Sequence, residues 1–319
     1  MQKKILILGN GFDLDLGLKS RYRDFMFSST WKEKKEPASI LSCNLLKYLE
    51  EKNEIEAWFD AESELLNYAL KITQGTYWSP QKTDRDGHEF FQAMLKKYLL
   101  KEQEEFTPND DSIATMLMEA VIQNGFFDEI FTFNYTDLNK TLAKFRLNTR
   151  INTTYMHGSL EDSDNIILGI ETDEAIHKDY QFLFKTNSRF YRYNSLIESM
   201  ESADEIIFFG HSINGMDFPY FKEFFIKQSK STAESKRKYI TIFTYDDSSD
   251  QQIRNNFREA GVNLRDLMQR NNMTFIETKY LREGEKFELK KWNDLLLHLK
   301  DDSKDTQNNN LRRLSSMLP

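Results

Sequence analysis

Four groups of residues in this 319-residue chain have types and spacings able to do chemistry: Gly9-Asn10-Gly11-Phe12-Asp13, Asn134 with Thr136, His157-Gly158, and Gly210-His211-Ser212 with Asp217 six positions after the histidine. The glycines at 9 and 11 permit a tight turn whose backbone N–H groups can face an anion such as a phosphate. A turn that only lets a strand meet a helix uses the same residues. Leu14 breaks the G-x-G-x-x-G dinucleotide spacing, and the phosphate-loop pattern ending in Gly-Lys-Ser/Thr is not met. Asp13 would repel a pyrophosphate lying directly beside it. An imidazole at His157 is suited to general acid or base work, and the same position also fits a structural histidine at a turn. The Asn134 amide offers both a donor and an acceptor, enough to orient a water or a ribose hydroxyl, though asparagine after a strand is otherwise a turn former. Ser212, His211 and Asp217 could be written as a triad, but no G-x-S-x-G elbow accompanies them.

Three of these groups follow a short apolar run, and a fourth such run lies further along the chain. Ile5 to Leu8, Glu129 to Phe133, Glu205 to Phe209 and Tyr239 to Phe243 lack the alternation of a half-exposed strand and match strands buried on both faces of a parallel sheet. The fourth is followed by Tyr245-Asp246-Asp247. In an open parallel α/β sheet, ligands sit outside the carboxyl ends of the strands, so four strands ending in polar or glycine residues describe one site. Runs at 151–156, 165–168 and 273–277 offer further strands. Between them the texture is helical: Leu41, Leu45, Leu46 and Leu49, then Leu65, Leu66 and Ala69, then Phe90, Phe91, Met94, Leu95, Tyr98 and Leu99 are spaced for amphipathic faces. Residues 107–111 read as a turn and cap before a helix reaching about Gln123, and 172–203 as a second helical stretch.

The expected organisation is a Rossmann-like α/β domain from 1–29 and 126–300, mostly parallel with helices on both faces. A helical insertion occupies 30–125, and 301–319 forms a polar tail. Within the insertion, Trp58 precedes Asp60 and Glu62, two acids two positions apart that would lie on different helix faces; a solvated face is the simple reading. Lys236-Arg237-Lys238 reads as a solvated loop.

Composition bounds the function. Forty-three Lys and Arg against 51 Asp and Glu give a net charge of −8, the wrong sign for coating duplex nucleic acid. With 39% hydrophobic residues, 25 Phe and 14 Tyr, the chain is far too rich in core formers to be disordered. One cysteine, Cys43, rules out an intramolecular disulfide and any zinc module needing two cysteines. The apolar run at the start is too short for a signal-peptide core or a membrane span, so a soluble cytoplasmic protein without a membrane partner is expected.

Taken in order, Ile5 through Leu14, Gly17 through Phe25, Trp58 with Asp60 and Glu62, Phe133-Asn134-Tyr135-Thr136, His157-Gly158-Ser159, and Gly210-His211-Ser212 with Asp217 resemble the AbiH family of bacterial abortive-infection, phage-defence proteins. The same order is similar to a diverged sirtuin-type NAD-binding domain: the Gly9–Asp13 turn, the Gly17–Phe25 stretch, an asparagine after a strand, a histidine before glycine, and a late strand ending Gly-His-Ser. The resemblance implies an enzyme that hydrolyses the N-glycosidic bond of NAD and so depletes nucleotide on infection. It implies His157 and Asn134 as catalytic residues, and Gly9, Asn10, Gly11, Phe12, Asp13, Ser20, Tyr22, Thr136, Gly210, His211, Ser212 and Asp217 as nucleotide contacts. No metal is expected, a homo-oligomer and a phage-derived activator are, and nucleic acid is not an expected partner. Three positions depart from the sirtuin pattern. Asp13 replaces a small hydroxyl residue, Thr136 stands where an aspartate follows the asparagine by two, and the lone cysteine removes the zinc ribbon that serves acyl-lysine substrates. Two alternatives stay open: a metal-dependent nuclease or phosphoesterase built on Asp13, Asp15, Asp60 and Glu62 with His157, and a non-catalytic nucleotide sensor acting through partners.

Overall fold

Four successive apolar residues can sit in one strand only if both of its faces are covered. In the computed structural model, Ile5, Leu6, Ile7 and Leu8 are fully buried in strand β1 (Lys4–Leu8). Each such side chain contributes roughly 1.5–3 kcal/mol relative to exposure. The structure describes residues 3–56, 59–124, 127–161, 165–172, 174–188, 191, 194–213, 216–230 and 237–299. Six strands form one parallel sheet in the order β3-β2-β1-β4-β5-β6, with β2 Glu129–Thr132, β3 Asn152–Tyr155, β4 Glu205–Phe209, β5 Tyr239–Thr244 and β6 Asn272–Glu277. β1 is central and pairs in parallel with β2 on one side and β4 on the other. The chain therefore moves outward through β2 and β3, then returns to the far side of β1. This reversal is the switch point at which doubly wound sheets open a crevice beyond their strand ends.

The alternation of side chains along β1 divides the core. Leu6 and Leu8 join Ile113, Leu117 and Val121 of a helix at Ile113–Asn124, together with Trp292 and Leu295 from helical residues 286–299. Ile5 and Ile7 face the other way, onto Leu196 and Met200 of a helix at Asn194–Ser202 and Phe221 and Phe225 of a helix at Pro219–Lys230. Between β1 and β2 the chain is helical: α1 Asn10–Leu16, α2 Tyr22–Phe27, α3 Ser29–Lys32, α4 Asn44–Ile55, α5 Ala61–Thr73, α6 Gln81–Glu105 and α7 Ile113–Asn124. Phe25, Trp31, Leu45, Leu49, Leu65, Tyr68, Phe91 and Leu95 give these helices a core of their own, which also takes in Tyr135, Ile166, Leu168 and Leu183.

Three expectations change. Residues 165–168 form no strand of the sheet. Ile166, Ile167 and Leu168 are apolar because the segment is buried between α6 and the strand ends, where Leu168 O meets His88 Nε2 (3.0 Å) and Ile167 O accepts from the Tyr135 hydroxyl (3.1 Å). In the 172–203 stretch, tight 3₁₀ turns at Lys178–Leu183 and Lys185–Asn187 precede the helix at Asn194–Ser202. Lys238 is buried rather than solvated, and its ammonium donates to the carbonyls of Glu201 (2.9 Å) and Ala203. Trp58, Lys236 and the 301–319 tail lie outside the described residues. No helix among the described residues is long and apolar enough to cross a membrane.

Candidate functional site

The glycine turn after β1 is built against the end of β4. Gly9 N–H donates to Phe209 O (3.0 Å), Gly11 N–H to Gly210 O (2.8 Å) and Phe12 N–H to Gly9 O (2.9 Å). A Cβ on Gly9 would lie 2.5 Å from His211 Cα, and one on Gly11 2.6 Å from Gly210 Cα. Gly210 has φ +64°, and a Cβ there would lie 2.3 Å from the Phe12 nitrogen. The three glycines thus let two backbones cross at the switch point, and the amides of residues 9, 11 and 12 are already bonded within the protein. At those three positions the N–H groups are turned to the protein rather than to an anion. The exposed polar group on the turn is Asn10, whose Oδ1 accepts from the Ser20 hydroxyl.

Asp13 does not face a phosphate either. It is buried beneath the end of β2, where Oδ1 accepts from Asn134 Nδ2 (2.9 Å) and Oδ2 from the Thr136 hydroxyl (2.7 Å). Burial pushes its carboxyl up to about 7, against the lowering effect of the Thr136 and Asn134 bonds. An ionised carboxylate only accepts, so it turns the Asn134 NH₂ toward itself and Oδ1 away. That Oδ1 is buried without a hydrogen-bond partner. The departure at Thr136 has a use as well, since its hydroxyl supplies the second donor to Asp13.

Beyond β3 and β4 lies a buried charge cluster. Lys185 Nζ, fully buried, contacts Glu62 Oε2 at 2.8 Å, His157 Nε2 at 3.2 Å and Asp217 Oδ1 at 3.3 Å. Burial alone would pull the Lys185 ammonium down, but the carboxylates of Glu62 and Asp217 outweigh it and hold the group above its ordinary value. Lys185 therefore donates to His157 Nε2, and the imidazole stays neutral. Burial, then the Lys185 charge, lower His157 to about 3. Asp217 also sits 3.4 Å from His157 Nε2 and 3.7 Å from His211 Nε2. Burial raises Asp217, but Lys185 and the two imidazoles outweigh it and hold the group below the usual carboxylate range. The Ile213 N–H donates to His211 Nδ1 (2.9 Å), which places the proton of the neutral ring on Nε2, toward Asp217. His211 is lowered to about 4 by burial.

Backbone geometry delivers these groups. Gly158, at φ +74°, turns the chain after His157 so closely that a Cβ would fall 1.9 Å from Asn165 O, and no other residue fits there. Ile167 N–H then donates to His157 O (2.7 Å). Lys185 is set by its own N–H to Ile170 O (3.1 Å) and by Ile170 N–H to Leu183 O (2.8 Å). Glu62 enters from the first turn of α5, which Asp60 caps by accepting from Glu62 N (3.2 Å) and the Ser63 hydroxyl (2.7 Å). Capping resolves the two-apart spacing: Asp60 closes the helix N-terminus, and Glu62 reaches Lys185. Phe133 joins the two histidines, with ring centroids 5.2 Å from His157 and 4.4 Å from His211.

Of the residues marked by sequence, the structure gathers His157, His211 and Asp217 into one cluster and Asp13, Asn134 and Thr136 into an adjoining one. Tyr22 reaches its edge, its hydroxyl 3.4 Å from that of Tyr135. Phe12 is core, packed edge-on against Phe209 at 5.7 Å. Ser212 is exposed, and its carbonyl faces Asn256 (3.4 Å). Asp15 points elsewhere, binding the Ser112 hydroxyl (2.8 Å), the Ala114 amide (2.9 Å) and Arg282. The acids of the metal alternative are thereby split. Among the described residues no group of three or more His, Cys, Asp or Glu side chains is disposed to hold a metal ion. Sequence reasoning missed Lys185 and left Glu62 on a solvated face; a lysine between apolar Leu183-Phe184 and a polar turn was the one available signal.

A family model described as bacteriophage abortive infection AbiH matches residues 5–241, from β1 into β5. No curated protein matches the chain.

Proposed function

The chain belongs to the AbiH family of bacteriophage abortive infection proteins, and from that premise we propose that it acts in phage defence by hydrolysing the N-glycosidic bond of NAD. What carries the reading is Asn134: a buried amide at the end of β2 whose Oδ1 has no protein partner while its Nδ2 is held by Asp13. A buried acceptor left open in a polar site calls for a hydroxyl or a water. A ribose hydroxyl beyond the strand ends, at the switch point, is the ligand group this position suits. The phosphates would then lie over the turn near Asn10 and Ser20, held by side chains rather than by the turn's amides.

The bond to nicotinamide breaks through an oxocarbenium-like transition state. Positive charge growing on the ribose is stabilised by nearby fixed negative charge. One buried cation, Lys185, faces two carboxylates, Glu62 and Asp217, so the cluster suits a developing cation better than an anion. The Lys185 ammonium keeps Asp217 ionised, and neutral His211 turns its Nε2 proton toward that carboxylate.

The test is nicotinamide release from NAD by the purified chain, and the fall of cellular NAD after phage infection of cells that make it. Release that drops at least tenfold in Asn134→Ala supports the reading. No release by the wild-type chain in either setting, or equal release by Asn134→Ala, removes it. Cleavage of nucleic acid that stops in chelator would instead favour the phosphoesterase alternative.

A further inference from the structure

Glu62 differs from every carboxylate around it. Oε2 is held by Lys185 Nζ at 2.8 Å, but Oε1, in a side chain only 8% exposed, has no hydrogen-bond partner. Its neighbours at the start of α5 are complete. Glu64 accepts from the Tyr48 hydroxyl (2.7 Å) and Asn67 Nδ2 (2.8 Å), and Asp60 from Glu62 N and the Ser63 hydroxyl. His157, the residue that the resemblance would make the base, has its Nε2 lone pair facing the Lys185 ammonium and cannot take a second proton there.

We propose that Glu62, carried to the strand-end site by the helical layer, is the catalytic base that takes the proton of the attacking water, with Lys185 as the positioning residue that orients its carboxylate. The inference rests on the glycohydrolase reading and deepens it. A buried carboxylate oxygen with no protein partner is where a water is held, and a water held by a carboxylate is a primed nucleophile. In the step, the water oxygen forms a bond to ribose C1′. The C1′–N1 bond breaks with its electron pair leaving on nicotinamide, which departs neutral, and the water's proton goes to Glu62 Oε1. ADP-ribose, nicotinamide and one proton result.

The charges facing Glu62 set its titration. Burial raises it, Lys185 opposes, and Asp217 and Asp60 raise it further. Tyr22 and Tyr135 also face it, and both hydroxyls are pushed up in turn by burial and by its charge. His157 and His211 stand behind it, against Lys185 and Asp217. Glu62 must be ionised to act as a base, so turnover rises with pH, with a midpoint above the ordinary glutamate value of 4.5.

The experiment compares nicotinamide release by the wild-type chain and Glu62→Gln across pH, with NAD affinity and melting temperature measured alongside. The expected result is a fall in kcat of about 10²–10⁴-fold with KM little changed, and a wild-type pH limb that moves to higher pH in Lys185→Met. Wild-type turnover with Glu62→Gln within a few-fold of it overturns this inference alone. No wild-type turnover overturns the glycohydrolase reading and this inference with it. Should Glu62→Gln fail to fold, the pH profile decides: a wild-type profile with no limb above pH 4.5 overturns the assignment.

Discussion

Two buried carboxylates in this molecule, Asp84 and Glu62, show opposite uses of the same chemistry. Asp84 lies inside the helical layer. Its Oδ2 accepts from the hydroxyls of Tyr68 (2.7 Å) and Tyr180 (2.8 Å), and its Oδ1 from the Leu45 amide (3.2 Å) and the Cys43 thiol (3.6 Å). Every acceptor site is engaged, and the residue ties α4, α5, α6 and the 3₁₀ turn at Lys178–Leu183 together. Glu62, also buried, has one oxygen on Lys185 and one without a hydrogen-bond partner. A saturated carboxylate organises the fold. An unsaturated one leaves a buried acceptor that the chain itself does not satisfy.

The sharpest way to press that contrast is Lys185→Met. Removing the cation leaves Glu62 and Asp217 buried without compensation, so the chain should lose about 3–5 kcal/mol in urea unfolding. Adding Glu62→Gln to it should restore part of the loss. Additive losses would mean that the pair is not coupled. Asp13 stands between the two cases, with both oxygens partnered but only by neutral donors. Its folded pKa of about 7 lies above the 3.8 of the unfolded chain, so its contribution is present in full below pH 3.8 and is lost as pH rises to 7. Relative to Asp13→Asn, the wild type should lose roughly 4 kcal/mol across that window and level off above it. A pH-independent difference would place Asp13 in water. Asp84→Ala strands two tyrosine hydroxyls and an amide and should cost about 3 kcal/mol while turnover per folded molecule persists. If turnover vanished in a folded Asp84→Ala chain, the distinction between the two carboxylates would fail. The smallest effect belongs to Tyr180→Phe, about 1.5 kcal/mol, because Tyr68 still serves the same Asp84 oxygen.

The sheet was legible in the sequence because strands covered on both faces advertise themselves as unbroken apolar runs, as at Ile5–Leu8 and Ile206–Phe209. The run at 165–168 carries the same signature for another reason, contact with α6, and periodicity has no way to tell the two apart. The strand-end groups His157, His211, Asp217 and Asn134 were legible because topology places whatever follows such runs at one edge. The glycines at 9, 11 and 210 were located correctly but serve backbone against backbone. Glu62 and Lys185 were hidden. They lie 123 positions apart, and a charged residue reveals its burial only when its partner is known.

β1 is both the first element of the chain and the middle of the sheet. Its partners are far away: Ile5 pairs with Glu129 on one side and with Ile206 on the other. During synthesis at about 5–20 residues per second, the most apolar strand waits roughly ten seconds or more before β4 exists to cover its second edge. The helical layer, with its own core, can form in that interval by local contacts, which are the fast ones to make. Asp217 comes later still, so the order of translation keeps Glu62, Lys185 and Asp217 apart until the residues after β4 have been made.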